Sequence, residues 1–260
     1  METLLADRAE LAYEALAGDY DAFTADYDYE RWLSEVERVA RALGLRGRRL
    51  LDLACGTGNG FLPMLERGYE VTACDLSPSM LARAAGKAPG ARLFVADLRA
   101  LPAAGSFDLV TCMGDSLNYL GDARELERCF EGVAANLAPD GRFVFDLNTR
   151  LTYRTAFAGA AVTERDDRVF VWRGEGGTDA TCSAVLDVFA AEDGVWRRRT
   201  STHVQHHFPR EAVEAALARA GLRALAVFGQ TPGPVLHPEP DEDAHTKALY
   251  VAAREEVTPR

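Results

Sequence analysis

A glycine-rich segment followed by an isolated acid is the part of the sequence best suited to ligand chemistry. The apolar run RLLDLA leads into CGTGNG, where one threonine separates Gly56 from Gly58. Glycines let a ligand approach the backbone closely, and a following helix offers free N–H groups at its N-terminus. Asp75 ends the next apolar run, 17 residues after Gly58, where a carboxylate can accept hydrogen bonds from both hydroxyls of a ribose. The segment therefore predicts a nucleoside site.

The same segment lacks the residues that would hold a pyrophosphate. A dinucleotide-binding fingerprint needs a glycine at the position of Phe61, and a P-loop needs a Gly-Lys-Ser or Gly-Lys-Thr that is absent here. Another acid, Asp97, ends the third apolar run. A nucleoside without phosphate groups therefore fits these residues better than a nicotinamide dinucleotide does.

The elements that must position these residues alternate between apolar runs and helical segments. Residues 1–45 have an amphipathic helical pattern that a Tyr- and Asp-rich stretch interrupts. Beyond them, five apolar runs alternate with helical segments as far as Asn148. This alternation is typical of a parallel sheet that helices cover on both faces.

Residues 158–206 break that rhythm. They contain three strand-like stretches and no helical pattern, with candidate turns at Gly176-Gly177 and Asp193-Gly194. A helix after Pro209 and the apolar runs LRALAVFG and KALYVAAR then return to the first pattern. The sequence therefore predicts one α/β domain with a small antiparallel β insertion.

Five motifs carry a resemblance to a known family: LDLACGTGNG, VTACDLSPSML, ADLRAL, FDLVTCMGDSLNYL and LAPDGRFVFDLN. Over roughly residues 18–254 the chain resembles the class I S-adenosylmethionine-dependent methyltransferases. It is most similar to bacterial small-molecule members, including sugar N-methyltransferases. The resemblance implies a Rossmann-like α/β fold with a seven-stranded sheet, mostly parallel with an antiparallel last strand, helices on both faces, and the β insertion between strands five and six.

The resemblance also implies an organisation of the chain around its cofactor. Residues 1–157 would form a helical lid and the first part of the cofactor-binding domain, residues 158–206 a roof over the substrate, and residues 207–260 the remainder of that domain. S-adenosyl-L-methionine would be the cofactor and S-adenosyl-L-homocysteine the product.

Cofactor contacts are assigned by the resemblance to residues at predicted strand ends and in the N-terminal region: Tyr20, Tyr27, Ala54, Gly56, Gly58, Asp75, Leu76, Met80, Asp97, Leu98 and Met113. Asp75 would hold the ribose hydroxyls, and Asp97 would bond the adenine amino group. Tyr20 and Tyr27 resemble lid aromatics, and plain packing in the core is their alternative.

Methyl transfer from a sulfonium depends on alignment and water exclusion more than on a general base. A base matters when the acceptor is protonated or weakly nucleophilic; the candidates are His203, His206, His207 and Asp115, of which His203 and Asp115 are the predicted catalytic residues. Alternation along a strand places His203 and His207 on one face and His206 on the other. A surface or packed position is the alternative for each of these histidines.

The resemblance places the substrate beside Asp115, and we expect Ser116, Tyr119 and His207 to contact it. No metal site is predicted, because no Cys or acid lies at ligand spacing beside the histidines. The run Arg197 to Arg199 is either an anion-attracting patch or a solvated edge strand.

Composition excludes several classes of partner. The 260 residues carry a net charge of −11, which disfavours a nucleic-acid partner. No apolar run approaches the ~20 residues that span a bilayer, and charged residues near the N-terminus disfavour a secretory signal. Five cysteines without a CxxC pair favour reduced thiols, so we expect a cytoplasmic protein with a small-molecule acceptor, no membrane or nucleic-acid partner, and a homodimeric assembly.

The leading hypothesis is methyl transfer from S-adenosylmethionine to a nitrogen or oxygen of a small molecule, in secondary metabolism by resemblance. The alternative is a protein of the same fold that binds the cofactor for a non-methylating, cyclase-type reaction or only binds it, since a glycine motif reports binding rather than transfer. The identity of the acceptor stays open at this point.

Overall fold

The structure is a computed structural model that describes residues 2–165, 167–178 and 180–255, without the side chains of residues 2–8. Helices occupy the N-terminal region and the connections between strands. The α-helices are α1 (Glu2–Leu16), α2 (Tyr20–Phe23), α3 (Tyr29–Ala42), α4 (Leu62–Glu66), α5 (Pro78–Lys87), α6 (Ala123–Asn136), α7 (Arg150–Thr155) and α8 (Arg210–Arg219), with short 3-10 turns at Leu98–Ala100 and Ser116–Tyr119.

The strands divide between two sheets. The larger sheet contains β1 (Arg49–Leu53), β2 (Glu70–Asp75), β3 (Arg92–Val95), β4 (Phe107–Cys112), β5 (Leu137–Asn148), β10 (Leu222–Thr231), β11 (Val235–His237) and β12 (Lys247–Arg254). The smaller sheet contains β6 (Ala160–Arg165), β7 (Arg168–Gly177), β8 (Thr181–Glu192) and β9 (Val195–His206).

The larger sheet has the order β11-β10-β12-β5-β4-β1-β2-β3. Strands β1 to β5 pair in parallel, and β12 is antiparallel to both of its neighbours, as expected. The predicted number of strands is wrong by one, because the sheet has eight strands rather than seven. The additional strand β11 forms a hairpin edge with β10 inside a segment that the sequence marks only as a Pro- and acid-rich loop.

Helices cover both faces of the larger sheet, which explains why its strands are nearly continuous apolar runs. On one face α6 and α8 pack through residues such as Leu126 and Val213. On the other face α3, α4 and α5 pack through residues such as Val36, Met64 and Leu81. The ligand-binding edge of such a sheet is its carboxyl edge, where the loops after β1, β2 and β4 meet.

The insertion is a four-stranded antiparallel sheet in the order β6-β7-β8-β9. One strand more than predicted is present, since the weakly apolar AAVTER segment forms β6. Gly176 and Gly177 end β7, and the turn follows them rather than containing them. The turn at Asp193 and Gly194 is confirmed, and both residues adopt left-handed backbone conformations.

The N-terminal region joins the two sheets. Leu16 of α1 packs against Phe170 and Leu186 of the insertion. The next acid, Asp19, is buried and accepts hydrogen bonds from Arg168 Nε at 2.7 Å and Arg199 Nη2 at 2.8 Å. Burial of a carboxylate requires such cationic partners, so Asp19 fixes the start of α2 to the insertion.

Among the described residues, none of the helices combines the length and the apolar character needed to cross a membrane.

Candidate active site

The glycine segment forms a tight loop at the carboxyl end of β1. Ala54, Gly56 and Gly58 all have positive φ, at 52°, 54° and 88°. A Cβ at Gly58 would lie 2.8 Å from Phe61 Cζ, so this position requires glycine for space as well as for conformation. The loop leaves backbone close to the space above β1, which is where a ligand can contact it.

Asp75 lies beside this loop, at the end of β2. Its carboxylate is buried and accepts hydrogen bonds from the backbone N–H groups of Gly56 at 2.8 Å and Ser77 at 2.9 Å. Burial raises the pKa of Asp75, and the backbone N–H groups oppose that rise. Each oxygen has one such partner and keeps a further lone pair, so the carboxylate can still accept the two hydroxyls of a ribose.

The residues after Asp75 form an apolar wall. Leu76 is half-buried, and Ser77 caps α5 by accepting a hydrogen bond from Met80 N–H at 3.1 Å. This cap places Met80, fully buried, in the first turn of the helix next to Asp75. Of these two apolar side chains, Leu76 is partly exposed whereas Met80 is 0% exposed, so the adenine contacts expected of both stay predictions.

Asp97 already has a partner within the chain. It caps the turn at Leu98–Ala100 and receives hydrogen bonds from the guanidinium of Arg99, with Nε to Oδ1 at 2.8 Å. Burial would raise its pKa, but Arg99 outweighs burial and lowers it. Leu98 packs against the core. An adenine amino group would therefore share the carboxylate with Arg99, and the assignment of Asp97 and Leu98 to the cofactor stays a prediction.

The N-terminal segment covers the glycine loop. Tyr20 Cε1 lies 3.7 Å from where a Cβ of Gly56 would be. Asp21 accepts hydrogen bonds from Thr57 Oγ1 at 2.6 Å and Asn59 Nδ2 at 3.0 Å. It also pairs with Lys87 Nζ at 2.6 Å. These contacts place Tyr20 over the loop, and Asp21 was not predicted from the sequence to have a role.

Tyr27 lies differently from Tyr20. It is 62% exposed, and its ring lies 6.0 Å from that of Tyr29 between centroids. Met113, at the end of β4, is buried in the core on the helix α3 side and accepts a hydrogen bond from Ser116 Oγ at its carbonyl oxygen. The cofactor roles of Tyr27 and Met113, and the substrate role of Ser116, stay predictions.

A chain of hydrogen bonds connects the N-terminal region to the insertion. Tyr13 Oη and Tyr119 Oη are 3.0 Å apart, and Tyr119 Oη lies 2.9 Å from His203 Nδ1. The other ring nitrogen of His203 lies 3.0 Å from Ser201 Oγ. Burial lowers the pKa of His203 to about 4, so its ring is neutral near pH 7. A neutral ring in this position can accept a hydrogen bond, and the base role of His203 stays a prediction.

Asp115 is the centre of a second group of contacts. Its backbone is left-handed, with φ of 55°. Its side chain accepts hydrogen bonds from Lys247 Nζ at 2.7 Å and from Gln205 Nε2 at 2.5 Å. Lys247 also contacts Asp146 at 3.1 Å, and the two carboxylates raise the pKa of Lys247 against the opposing effect of burial. A left-handed aspartate held by this many groups is typical of a functional site.

Asp146, on β5, also belongs to this group. Its buried carboxylate accepts a hydrogen bond from the backbone N–H of Asp115 at 2.7 Å. Gln205 is buried as well and accepts from Asn148 Nδ2 at 2.8 Å. Thus β5, β9, β12 and the loop after β4 all contribute to one polar cluster at the carboxyl edge of the larger sheet.

The three histidines at the end of the insertion lie in different surroundings. His203 faces the tyrosines, whereas His207 lies beyond β9 and its Nε2 is 3.0 Å from Glu242 Oε2. His207 also packs edge-on against Tyr153, with ring centroids 6.0 Å apart. His206 lies on the opposite side of β9, and its Nδ1 is buried without a hydrogen-bond partner. The expected substrate contact of His207 stays a prediction.

Sequence reasoning missed several residues of the two groups: Tyr13, Asp146 and Lys247. Lys247 had one usable signal, since a charged residue begins the otherwise apolar run KALYVAAR. Tyr13 and Asp146 had no such signal, because their hydrogen-bond partners Tyr119 and Lys247 lie about 100 residues further along the chain. Among the described residues, no group of three or more Cys, His, Asp or Glu side chains could hold a metal ion.

Comparisons with known proteins agree with this geometry. Residues 50–141 match the family described as "Methyltransferase domain". The YqeM protein of Bacillus subtilis, which its name assigns to the methyltransferases, is 31% identical over 258 residues, covering 95% of this chain and 99% of that protein. A dTDP-3-amino-3,6-dideoxy-alpha-D-glucopyranose N,N-dimethyltransferase of Streptomyces fradiae is 32% identical over 200 residues, covering 75% and 78%.

A solved structure has the same fold over nearly the whole chain. An S-adenosylmethionine-dependent methyltransferase from Clostridium acetobutylicum superimposes with a TM-score of 0.81 at 26% identity, covering 94% of this chain and 99% of that one. The shared region includes both sheets, because so little of either chain is left uncovered.

Proposed function

Because the chain belongs to the class I S-adenosylmethionine-dependent methyltransferases, we propose that it methylates an amine nitrogen of a small molecule. The observation that carries this proposal is the pairing of Leu53 with Cys112 in neighbouring parallel strands. It puts the glycine loop after β1 directly beside the loop that holds Asp115. A cofactor on the first loop and an acceptor at the second would therefore be adjacent.

The residues present fit the cofactor. The loop of Ala54, Gly56 and Gly58 lies at the end of β1 beneath Tyr20, and its backbone would contact the methionine part. Asp75 would hold the ribose with its remaining lone pairs. Leu76 and Met80 would flank the adenine, with Asp97 and Leu98 at its rim.

When bound, S-adenosylmethionine would supply a methyl group on a sulfonium: an amine lone pair attacks the methyl carbon in line, the C–S bond breaks, S-adenosylhomocysteine leaves and the methylated nitrogen is left with one proton fewer than the ammonium. The chain contributes alignment, through Asp115 and its partners, and water exclusion, through Tyr20 and the insertion as a roof. His203 would orient Tyr119 by accepting its hydroxyl hydrogen bond. These roles require little charge movement within the protein, as expected for this displacement.

Nitrogen as the methylated atom is supported by the relatives. The Streptomyces fradiae enzyme is an N,N-dimethyltransferase by name, and so is a dTDP-amino-sugar enzyme of Streptomyces venezuelae at 27% identity over 210 residues. A secondary-metabolic role follows from the same resemblance. The named relatives are methyltransferases, which favours transfer over the binding-only alternative.

The experiment is a screen of purified protein with S-adenosylmethionine and a panel of small amines and alcohols, with S-adenosylhomocysteine measured by mass spectrometry. We expect product with at least one amine, and a mass gain of one methyl group on its nitrogen. Product with alcohols alone would replace nitrogen by oxygen, and S-adenosylhomocysteine absent throughout a broad panel would count against the proposal.

A cytoplasmic location and a homodimeric assembly complete the proposal. All five cysteines are buried thiols that form no disulfide bond, which supports a reducing compartment. Cell fractionation tests the location, and sedimentation velocity at several protein concentrations tests the dimer.

A further inference from the structure

The charge of the cluster around Asp115 is unbalanced. Asp115 and Asp146 contribute two carboxylates, and Lys247 is the cation that contacts both, at 2.7 and 3.1 Å. The other hydrogen-bonding side chains of the two groups are tyrosines, amides, a serine and the neutral His203. The groups named here therefore leave one net negative charge at the acceptor position.

Lys247 is not available to an anionic ligand. It is buried, and its side chain is only 13% exposed, between two carboxylates that hold it. An acceptor phosphate or carboxylate would have to compete with both acids for the same ammonium, and it would be repelled by them. The lysine therefore acts as a fixed counter-ion that orients Asp115.

The arginines of the insertion are also engaged in ion pairs. Each has a carboxylate within salt-bridge distance. They are Arg165, Arg168, Arg173, Arg197, Arg198 and Arg199. The run from Arg197 to Arg199, which alone suggested an anion-attracting patch, contacts Glu192, Asp187 and Asp19. Asp187 also pairs with Arg173 and Asp19 with Arg168, so these acids are shared, but each arginine of the roof is already held by a carboxylate.

Asp115 still has capacity for a ligand. Each of its oxygens accepts one hydrogen bond from the protein, and a quarter of the side chain is exposed, at 25%. The left-handed backbone and the hydrogen bond from its N–H to Asp146 fix the direction of the carboxylate. An ammonium could donate to the free lone pairs without displacing Lys247 or Gln205.

From this arrangement we propose that Asp115 binds a protonated amine acceptor that carries no phosphate or carboxylate group. This inference rests on the proposed function and narrows its substrate class. It separates this chain from enzymes whose acceptors are nucleotide-linked, because a sugar nucleotide would bring its diphosphate to a roof whose arginines are already held by carboxylates. Asp115 would hold the ammonium beside the methyl group, and its carboxylate would take the proton that the nitrogen must lose before its lone pair can attack.

A test that needs no knowledge of the acceptor uses sinefungin. This cofactor analogue carries an amine on the carbon that replaces the methylated sulfur, so its ammonium projects toward the acceptor side. Titration calorimetry would compare its affinity with that of S-adenosylhomocysteine, which lacks the amine. We expect wild type to prefer sinefungin about tenfold, and Asp115→Asn to lower that preference about fivefold or more while binding S-adenosylhomocysteine as before.

Asp243→Asn is the matched control. It removes one carboxylate from the nearby loop, where Asp243 pairs with Arg154, and should leave the preference for sinefungin within about twofold of wild type. Unchanged S-adenosylhomocysteine affinity shows in each variant that the cofactor site is folded. An equal preference in wild type and Asp115→Asn would overturn the inference.

A second measurement uses wild type alone. Paired acceptors, a free amino sugar and the same sugar linked to a nucleoside diphosphate, would be compared by S-adenosylhomocysteine release. Faster turnover of the free amine supports the inference, and faster turnover of the nucleotide form overturns it. No release with any amine, in this pair or in the wider panel, counts against the proposed function instead.

Discussion

Tyr119 and His203 are joined by a hydrogen bond of 2.9 Å although 84 residues separate them along the chain. One follows β4 of the larger sheet, and the other lies on the last strand of the insertion. Tyr13, from α1, extends the contact at 3.0 Å. The hydroxyl of Tyr119 thus connects three parts of the fold: helix α1, the segment after β4 and strand β9 of the insertion.

Tyr119→Phe should lower turnover about fivefold and leave cofactor affinity unchanged. The variant removes a hydroxyl that fixes the His203 ring, and one buried hydrogen bond contributes about 1 kcal/mol. Steady-state kinetics with the best amine of the panel, together with calorimetry for S-adenosylhomocysteine, measure the two effects.

Tyr153→Phe is the control for that variant. Its hydroxyl donates to the carbonyl of His206 at 3.2 Å, outside the chain from Tyr13 to Ser201. We expect nearly wild-type turnover from it. Equal losses in both variants would show that Tyr119 acts through general packing alone.

His203 should make the protein less stable in acid. Its pKa in the folded protein is lowered by burial to about 4, below the ordinary histidine value of 6.5, so the unfolded chain binds an extra proton between those two pH values. The free energy of unfolding should therefore fall as the pH falls from 6.5 toward 4, by at most about 1.4 kcal/mol per pH unit from this residue.

His203→Gln should flatten the fall in stability over the same interval. Glutamine retains hydrogen-bonding capacity but has no proton to gain. Urea unfolding at pH 4.5, 5.5 and 7 measures the slope, and a variant with the wild-type slope would contradict the assignment.

Asp75→Ala should weaken S-adenosylmethionine binding about 100-fold or more without unfolding the protein. The two expected ribose hydrogen bonds are made to a charged group and together contribute about 3 kcal/mol or more. Asp108→Ala removes an acid paired with Arg49 at the opposite end of β4 and serves as the control. Unchanged affinity in Asp75→Ala would disprove the ribose assignment.

Asp21→Ala should accelerate release of the cofactor about fivefold. The carboxylate holds the N-terminal segment on the glycine loop through Thr57, Asn59 and Lys87, and its partial exposure keeps the contribution near 1 kcal/mol. Stopped-flow displacement measures the rate. Glu35→Ala, which removes a surface ion pair with Arg38 on α3, should leave that rate as in wild type.

The sequence made the central sheet predictable because its strands are buried on both faces and read as apolar runs. It was also sufficient to locate Gly56, Gly58 and Asp75, whose relation is local to one β-α-β unit. Strands β6 and β11 were not predicted, because AAVTER and VLH have little apolar pattern. Pairing with β7 and β10 stabilises them instead.

The acceptor side was less accessible to sequence reasoning. Asp115 and His203 were found by residue type, but the lysine that orients Asp115 lies 132 residues further along the chain. Burial of Asp146 and Lys247 as a pair depends on β5 and β12 being neighbours in the sheet. No local pattern encodes that neighbourhood.

Asp19 and Asp21 stand two positions apart, yet the first is held by Arg168 and Arg199 of the insertion and the second by the glycine loop. A segment of three residues cannot lengthen appreciably, so these contacts hold the insertion and the glycine loop close to each other at this point. One short segment therefore couples the insertion to the loop proposed for the cofactor.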